Sequence, residues 1–192
     1  MNFLAHIHLS GSNEKIIVGN FIGDFIKGKQ INELDSEIRK GVELHRAIDQ
    51  FTDSHEIVLQ SKKRLREEFG HYSPVIVDVF YDHFLAKNWE SFHPRELSEF
   101  CQWFYSLMKK NNELLPDQVK HMLKYMKRDN WLQGYQYIDG IHRALSGMAR
   151  RTKFESGMEK ASNNLKENYS MYEKEFKDFY PLLMEFSQSK LS

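Results

Sequence analysis

The chain has 192 residues, 41% of them hydrophobic and 28% charged, a balance that excludes a disordered chain and suits one compact domain with a sizeable core. Lys plus Arg number 27 and Asp plus Glu number 27, so the basic excess usual in nucleic-acid binders is missing. The single cysteine, Cys101, excludes a disulfide framework and a thiolate metal cluster; lying in Phe100-Cys101-Gln102-Trp103-Phe104, it reads as a buried, inert thiol.

In chain order, residues 1–10 alternate Phe3, Ala5, Ile7 and Leu9 with His6 and His8, a pattern too short to separate an extended segment from a first helical turn. Gly11-Ser12-Asn13 predicts a turn, with Ser12 or Asn13 capping a helix over 14–27 that Gly28 ends. Gly19 and Gly23, four apart, would let another backbone come close. A long helix is predicted over 36–57, with Ser36 as N-cap and Ile38, Val42, Ile48 and Phe51 in the core. A basic helix over 58–69 stops at Gly70. Ser73-Pro74 opens a helix to about Trp89, His93-Pro94 one to about Lys110, and Pro116 one to Arg128. Residues 130–150 and 155–188 complete the set. The expected fold is all-α, a single-domain helical bundle over 1–192. No stretch is apolar for long enough to span a bilayer. The first residues lack the basic start and long apolar run of a signal peptide, so a cytoplasmic location is expected, with no membrane partner.

Chemistry-bearing residues concentrate in the first 83 positions. His45, Asp49 and Asp53 are spaced i, i+4, i+8, which at about 100° per residue puts them on a stripe roughly 80° wide. Asp78 and Asp82, again four apart, precede His83 inside the apolar run 75–85. Asp24 interrupts Asn20-Phe21-Ile22-Gly23-Asp24-Phe25-Ile26. A bare carboxylate is costly in such surroundings, and a divalent cation supplies the missing partner: mixed imidazole and carboxylate ligands suit Mn²⁺, Fe²⁺ or Zn²⁺, with Mg²⁺ tolerated. Open positions on the ion would grip a phosphoryl oxygen and activate water. The plainer alternatives are an Asp24–Lys27 pair one turn apart and a solvated face for the His45 stripe, interleaved with Arg46.

At these residues the sequence resembles the bacterial acyl carrier protein phosphodiesterases, distant members of the HD-type metal phosphohydrolase superfamily. The matching pieces are residues 1–9 from Met1-Asn2-Phe3-Leu4-Ala5-His6, the segment Gly19 to Gly28, His45-Arg46-Ala47-Ile48-Asp49, Phe51-Thr52-Asp53, Asp78 through Leu85 with Trp89, and Ala144 to Arg151. The resemblance implies an HD-domain-like bundle and hydrolysis of the phosphodiester that joins 4′-phosphopantetheine to a serine of holo-acyl carrier protein, with Mn²⁺ or Mg²⁺. The His-Asp dipeptide of the HD signature is absent; Asp82-His83 is its reverse. On this reading His6, Asp24, His45, Asp49 and Asp82 are the candidate metal ligands. Asp24 and His83 are the candidate catalytic groups, His83 orienting water or protonating the leaving serine oxygen. Lys27, Arg46, Arg150 and Arg151 are candidates for contacting the acidic carrier, with Lys62-Lys63-Arg64-Leu65-Arg66 a further basic patch. Two rivals remain at this level: the same metal site acting on a nucleotide or other small phosphoester, and a non-catalytic helical interaction module.

Overall fold

In the computed structural model, which describes residues 1–192, the ambiguous opening segment is helical: α1 is Phe3–His8. Six residues cannot hold a helix unaided, and Asn2 offers no side-chain cap. The first amides are instead taken by a distant carboxylate, Asp82, at 2.7 Å from Leu4 N and 3.2 Å from Ala5 N.

Asn13 caps α2, Glu14–Phe21, accepting from the Lys15 and Ile16 amides. The helix stops six residues short of its expected end because the chain tightens into a 3₁₀ turn at Gly23–Phe25. α3, Ser36–Ser54, is capped by Asp35 rather than Ser36. Gly19 and Gly41 let α2 and α3 cross with their backbones touching: a Cβ on Gly19 would lie 2.0 Å from the Ile38 carbonyl oxygen, and one on Gly41 2.2 Å from that of Ile16. α4, Glu56–Phe69, ends at Gly70, whose φ of 52° suits glycine.

α5, Ser73–Lys87, is buried on nearly every side, from Ile76 through Ala86. α1, α4, α9 and α11 pack around it. α6, Leu97–Lys110, begins later than His93-Pro94 because His93 Nδ1 accepts from Arg95 N and Trp89 Nε1 donates to the Arg95 carbonyl, which holds 93–96 as a turn. α7 is Asp117–Arg128, with Pro116 at its N-cap. The helix expected over 130–150 divides into α8, Trp131–Gly134, and α9, Ile138–Ala149. Gly140 returns so close to Gly134 that a Cβ would sit 1.9 Å from its carbonyl oxygen. The last expected helix also divides, into α10, Ala161–Glu167, and α11, Tyr169–Leu191, where the Asn168 amide turns back onto the Asn164 carbonyl. The buried hydrophobic side chains, including Cys101, form one continuous cluster, and burial pushes the Cys101 thiol up to about 12. No helix is long and apolar enough to cross a membrane.

His8 gives this core a pH-sensitive element. Its Nε2 donates to the Phe92 carbonyl at 3.1 Å and its Nδ1 accepts from the Tyr180 hydroxyl at 2.8 Å, so the imidazole is neutral. Burial lowers its pKa to about 4, despite the favourable Phe92 bond. The unfolded chain, titrating near 6.5, binds the proton first, so stability is complete above that value and falls as pH drops toward 4, by up to about 3 kcal/mol from this group. Urea unfolding of wild type and His8→Gln across pH 4–7 checks this. The variant should show a shallower decline, and parallel profiles would discard the assignment.

Candidate metal centre

Three side chains converge where α1, α2 and α3 meet. Donor atoms of His6, His45 and Asp49 all lie within 4.8 Å of one another. His6 Nε2 is 3.1 Å from Asp49 Oδ1, and His45 Nε2 is 3.2 Å from Asp49 Oδ2. The two imidazoles stack, with centroids 4.0 Å apart.

Asn20 decides which ring nitrogens face inward. Its Nδ2 donates to the His6 carbonyl and to Ser10 Oγ, which turns its Oδ1 toward His6 Nδ1 at 2.8 Å; its backbone carbonyl takes His45 Nδ1, also at 2.8 Å. Oxygens of this kind only accept, so both Nδ1 atoms carry hydrogen and both Nε2 atoms are aimed at Asp49. A second bond that fixes the tautomer is how ligating histidines are usually held. Gly23 completes the seat, because its missing Cβ leaves the space into which the His45 ring fits.

Asp24 adds a fourth group. Its Oδ1 is 3.2 Å from His45 Nε2, and its side chain is 71% exposed, so one carboxylate of the centre meets solvent. Lys27 does not pair with it; Asp24 turns to His45 instead. Burial opposes a charged His45, but Asp24 and Asp49 outweigh it and lift the imidazole to about 9. For His6, burial and the neighbouring His45 prevail, and its pKa drops to about 4. Burial works against an ionised Asp49, yet the bond from His45 and the Met1 ammonium at 3.3 Å hold it far below the usual carboxylate range. Asp24 is also held low, chiefly by the bond from His45. The centre is thus two ionised acids around a protonated His45 and a neutral His6, and a cation binding there would displace the His45 Nε2 proton.

The other sequence candidates go elsewhere. Asp82 is fully buried, with both oxygens spent on the amides of α1, so it positions the helix that carries His6 and does not join the donor cluster. His83 is buried with Nδ1 on the Tyr135 carbonyl at 2.7 Å and Nε2 on the Tyr169 hydroxyl at 3.0 Å, away from the cluster. Asp53, the last member of the stripe, pairs with Lys62 at 2.6 Å, and Asp78 faces the Met1 ammonium at 3.0 Å. Arg46 donates to the Ile26 carbonyl at 3.1 Å and so ties the loop after Asp24 to α3. Lys27 is exposed. In the basic patch of α4, Arg64 is held by both oxygens of Glu175 and lies over Tyr172, leaving only Lys63 and Arg66 without an ion-pair partner. Arg150 and Arg151 lie at the end of α9, beside a cavity.

Since Asp82 holds two buried amides, Asp82→Ala should leave them unsatisfied and destabilise the protein by roughly 1–3 kcal/mol for each. The loss should appear as a lower melting temperature, with α1 losing hydrogen-exchange protection first. A variant with unchanged melting would show that α1 does not depend on this cap.

The model of the family described as acyl carrier protein phosphodiesterase matches residues 1–183. Relatives of that name are similar over nearly their whole length. One from Photorhabdus laumondii is 29% identical, the match covering 99% of this chain and 96% of the relative. Others, from an Enterobacter species and Serratia proteamaculans, are 31% and 30% identical, with 99% of both chains covered. No solved structure matches the chain.

Proposed function

Because the chain belongs to the acyl carrier protein phosphodiesterase family, we propose that it is a metal-dependent hydrolase that removes 4′-phosphopantetheine from the serine of a holo-acyl carrier protein. One observation carries the metal dependence: His6 Nε2 and His45 Nε2 both point at Asp49, each locked in that tautomer by Asn20. This mixed imidazole and carboxylate donor set fits a divalent ion such as Mn²⁺, with Mg²⁺ tolerated. His6, His45 and Asp49 would hold it, with Asp24 at the solvent side; Asp82 is left out of the set. When bound, the ion lowers the pKa of water and offsets charge on the phosphoryl oxygens.

The chain's own residues supply the rest. Asp24 is ionised and solvent-facing, so it takes the proton of the attacking water as oxygen bonds to phosphorus. The bond from phosphorus to the serine oxygen breaks, and that oxygen takes its proton from solvent. His83, with both ring nitrogens occupied and its pKa lowered by burial, is a poor donor; its role is to brace α5 against Tyr135 and Tyr169.

Mass spectrometry of holo-carrier incubated with the chain and Mn²⁺ tests the reaction. The carrier should lose the mass of its prosthetic group, and free 4′-phosphopantetheine should appear. An unchanged carrier beside cleavage of a nucleotide panel would transfer the same centre to small phosphoesters.

A further inference from the structure

A second group of cations stands apart from the metal centre. A cavity of about 560 Å³ opens between α8 and α9, with Phe3, Trp131 and Tyr135 as aromatic wall and Arg143, Arg150 and Arg151 as cationic lining. None of the three guanidiniums has a carboxylate partner. The one acid in the lining, Asp129, has its oxygens taken by Arg128 at 2.7 and 2.9 Å. Arg151 spends only its Nε, on the Gly147 carbonyl. In a chain of zero formal charge, three unpaired guanidiniums around one hollow make a local site for an anion, and Arg forks suit phosphate oxygens. The volume falls within the range of small-molecule sites, about 300–1,000 Å³.

The cavity is joined to the metal centre through α1. Phe3 lines the hollow, and His6 follows it by three residues, on the same helix face. Asn2 Nδ2 donates to the Tyr135 hydroxyl at 3.1 Å, which fixes the cavity wall to the start of that helix.

We infer that this cavity is an anion-holding subsite for a phosphomonoester with an extended, partly apolar tail, the chemistry of released 4′-phosphopantetheine. Naming that molecule rests on the proposed function; the anion site itself does not. The phosphate sits among Arg143, Arg150 and Arg151, and the tail lies along Phe3 and Trp131. A product held there would delay its own release, so free 4′-phosphopantetheine should inhibit.

Calorimetry on the full chain in EDTA separates this site from the metal centre. The 4′-phosphopantetheine should bind, pantetheine without its phosphate at least tenfold more weakly, and inorganic phosphate should compete. Arg143→Ala and Arg151→Ala should each weaken binding at least tenfold. Both residues are exposed, so neither change endangers folding, and unaltered Mn²⁺ binding serves as the check. No binding to the chelated protein, or equal binding by the Arg variants, would overturn the subsite. The carrier assay on the same preparation keeps the two readings distinct. Stripping of the carrier without binding in EDTA leaves the reaction and removes the subsite; binding beside an intact carrier leaves the subsite and removes the reaction.

Discussion

Asp49→Ala should abolish tight Mn²⁺ binding and turnover together while the helical circular dichroism stays intact. Asp49 is the one group that both imidazoles face, one on each carboxylate oxygen. Losing a mere supporting partner of a metal ligand costs about 10–100-fold in affinity or activity, so losing the shared ligand should cost more than about 100-fold. The fold should survive, because Met1 keeps Asp78 as its partner and the Asp49 side chain is 35% exposed. Asp53→Ala is the matched control. It lies one turn further along the same face but pairs with Lys62, so it should keep near-normal kcat and Mn²⁺ affinity. Calorimetric titration of Mn²⁺ and single-turnover assays read both. Equal losses in the two variants would mean that the stripe acts only through its charge.

A single methyl group should do nearly as much damage at Gly23. A Cβ there would lie 2.3 Å from His45 Cγ and 2.6 Å from its Cβ, too near for either to stay. The ring must move, giving up its bond to the Asn20 carbonyl and its aim at Asp49. Overpacking of this kind costs typically about 1–3 kcal/mol, and activity should fall at least tenfold beyond what that stability loss explains. Gly28→Ala separates steric from backbone effects. Gly28 has φ of 54° with nothing within 4 Å of a Cβ, so it should cost about 1 kcal/mol of backbone strain and leave kcat unchanged. A fully active Gly23→Ala protein would show that the His45 ring tolerates displacement.

The helical class was legible because apolar spacing, caps and terminators agree along the chain. Asn13, Gly70, Pro74 and Pro116 each mark the boundary they were read to mark. The missed breaks share a cause. At Gly23–Phe25, at the α8–α9 turn and at Asn168, the break rests on a contact that apolar spacing does not show: the His45 ring fills the space at Gly23, Gly140 meets the Gly134 carbonyl, and the Asn168 side chain bonds the Asn164 carbonyl. α1 is the extreme case, since the carboxylate that caps it is supplied by a residue 78 positions away.

The site was legible in part for similar reasons. Spacing put His45 and Asp49 on one helix face, but it gave Asp53 equal standing, and only the neighbour Lys62 separates them. Asp82 was the natural candidate because an acid in an apolar run must have a buried partner. Sequence cannot say whether that partner is an ion or two amides of another helix. Asn20 was passed over although it aims both imidazoles. The available signal was a buried amide in the stretch Gly19-Asn20-Phe21-Ile22, where an unpaired polar group would be costly.

Crystals grown with Mn²⁺ and measured on both sides of the manganese absorption edge would locate the ion directly. One anomalous peak should lie within coordinating distance of His6 Nε2, His45 Nε2 and an Asp49 carboxylate oxygen. A peak at Asp82 and His83 instead, or none above noise in a protein that still strips the carrier, would contradict the assignment of this centre.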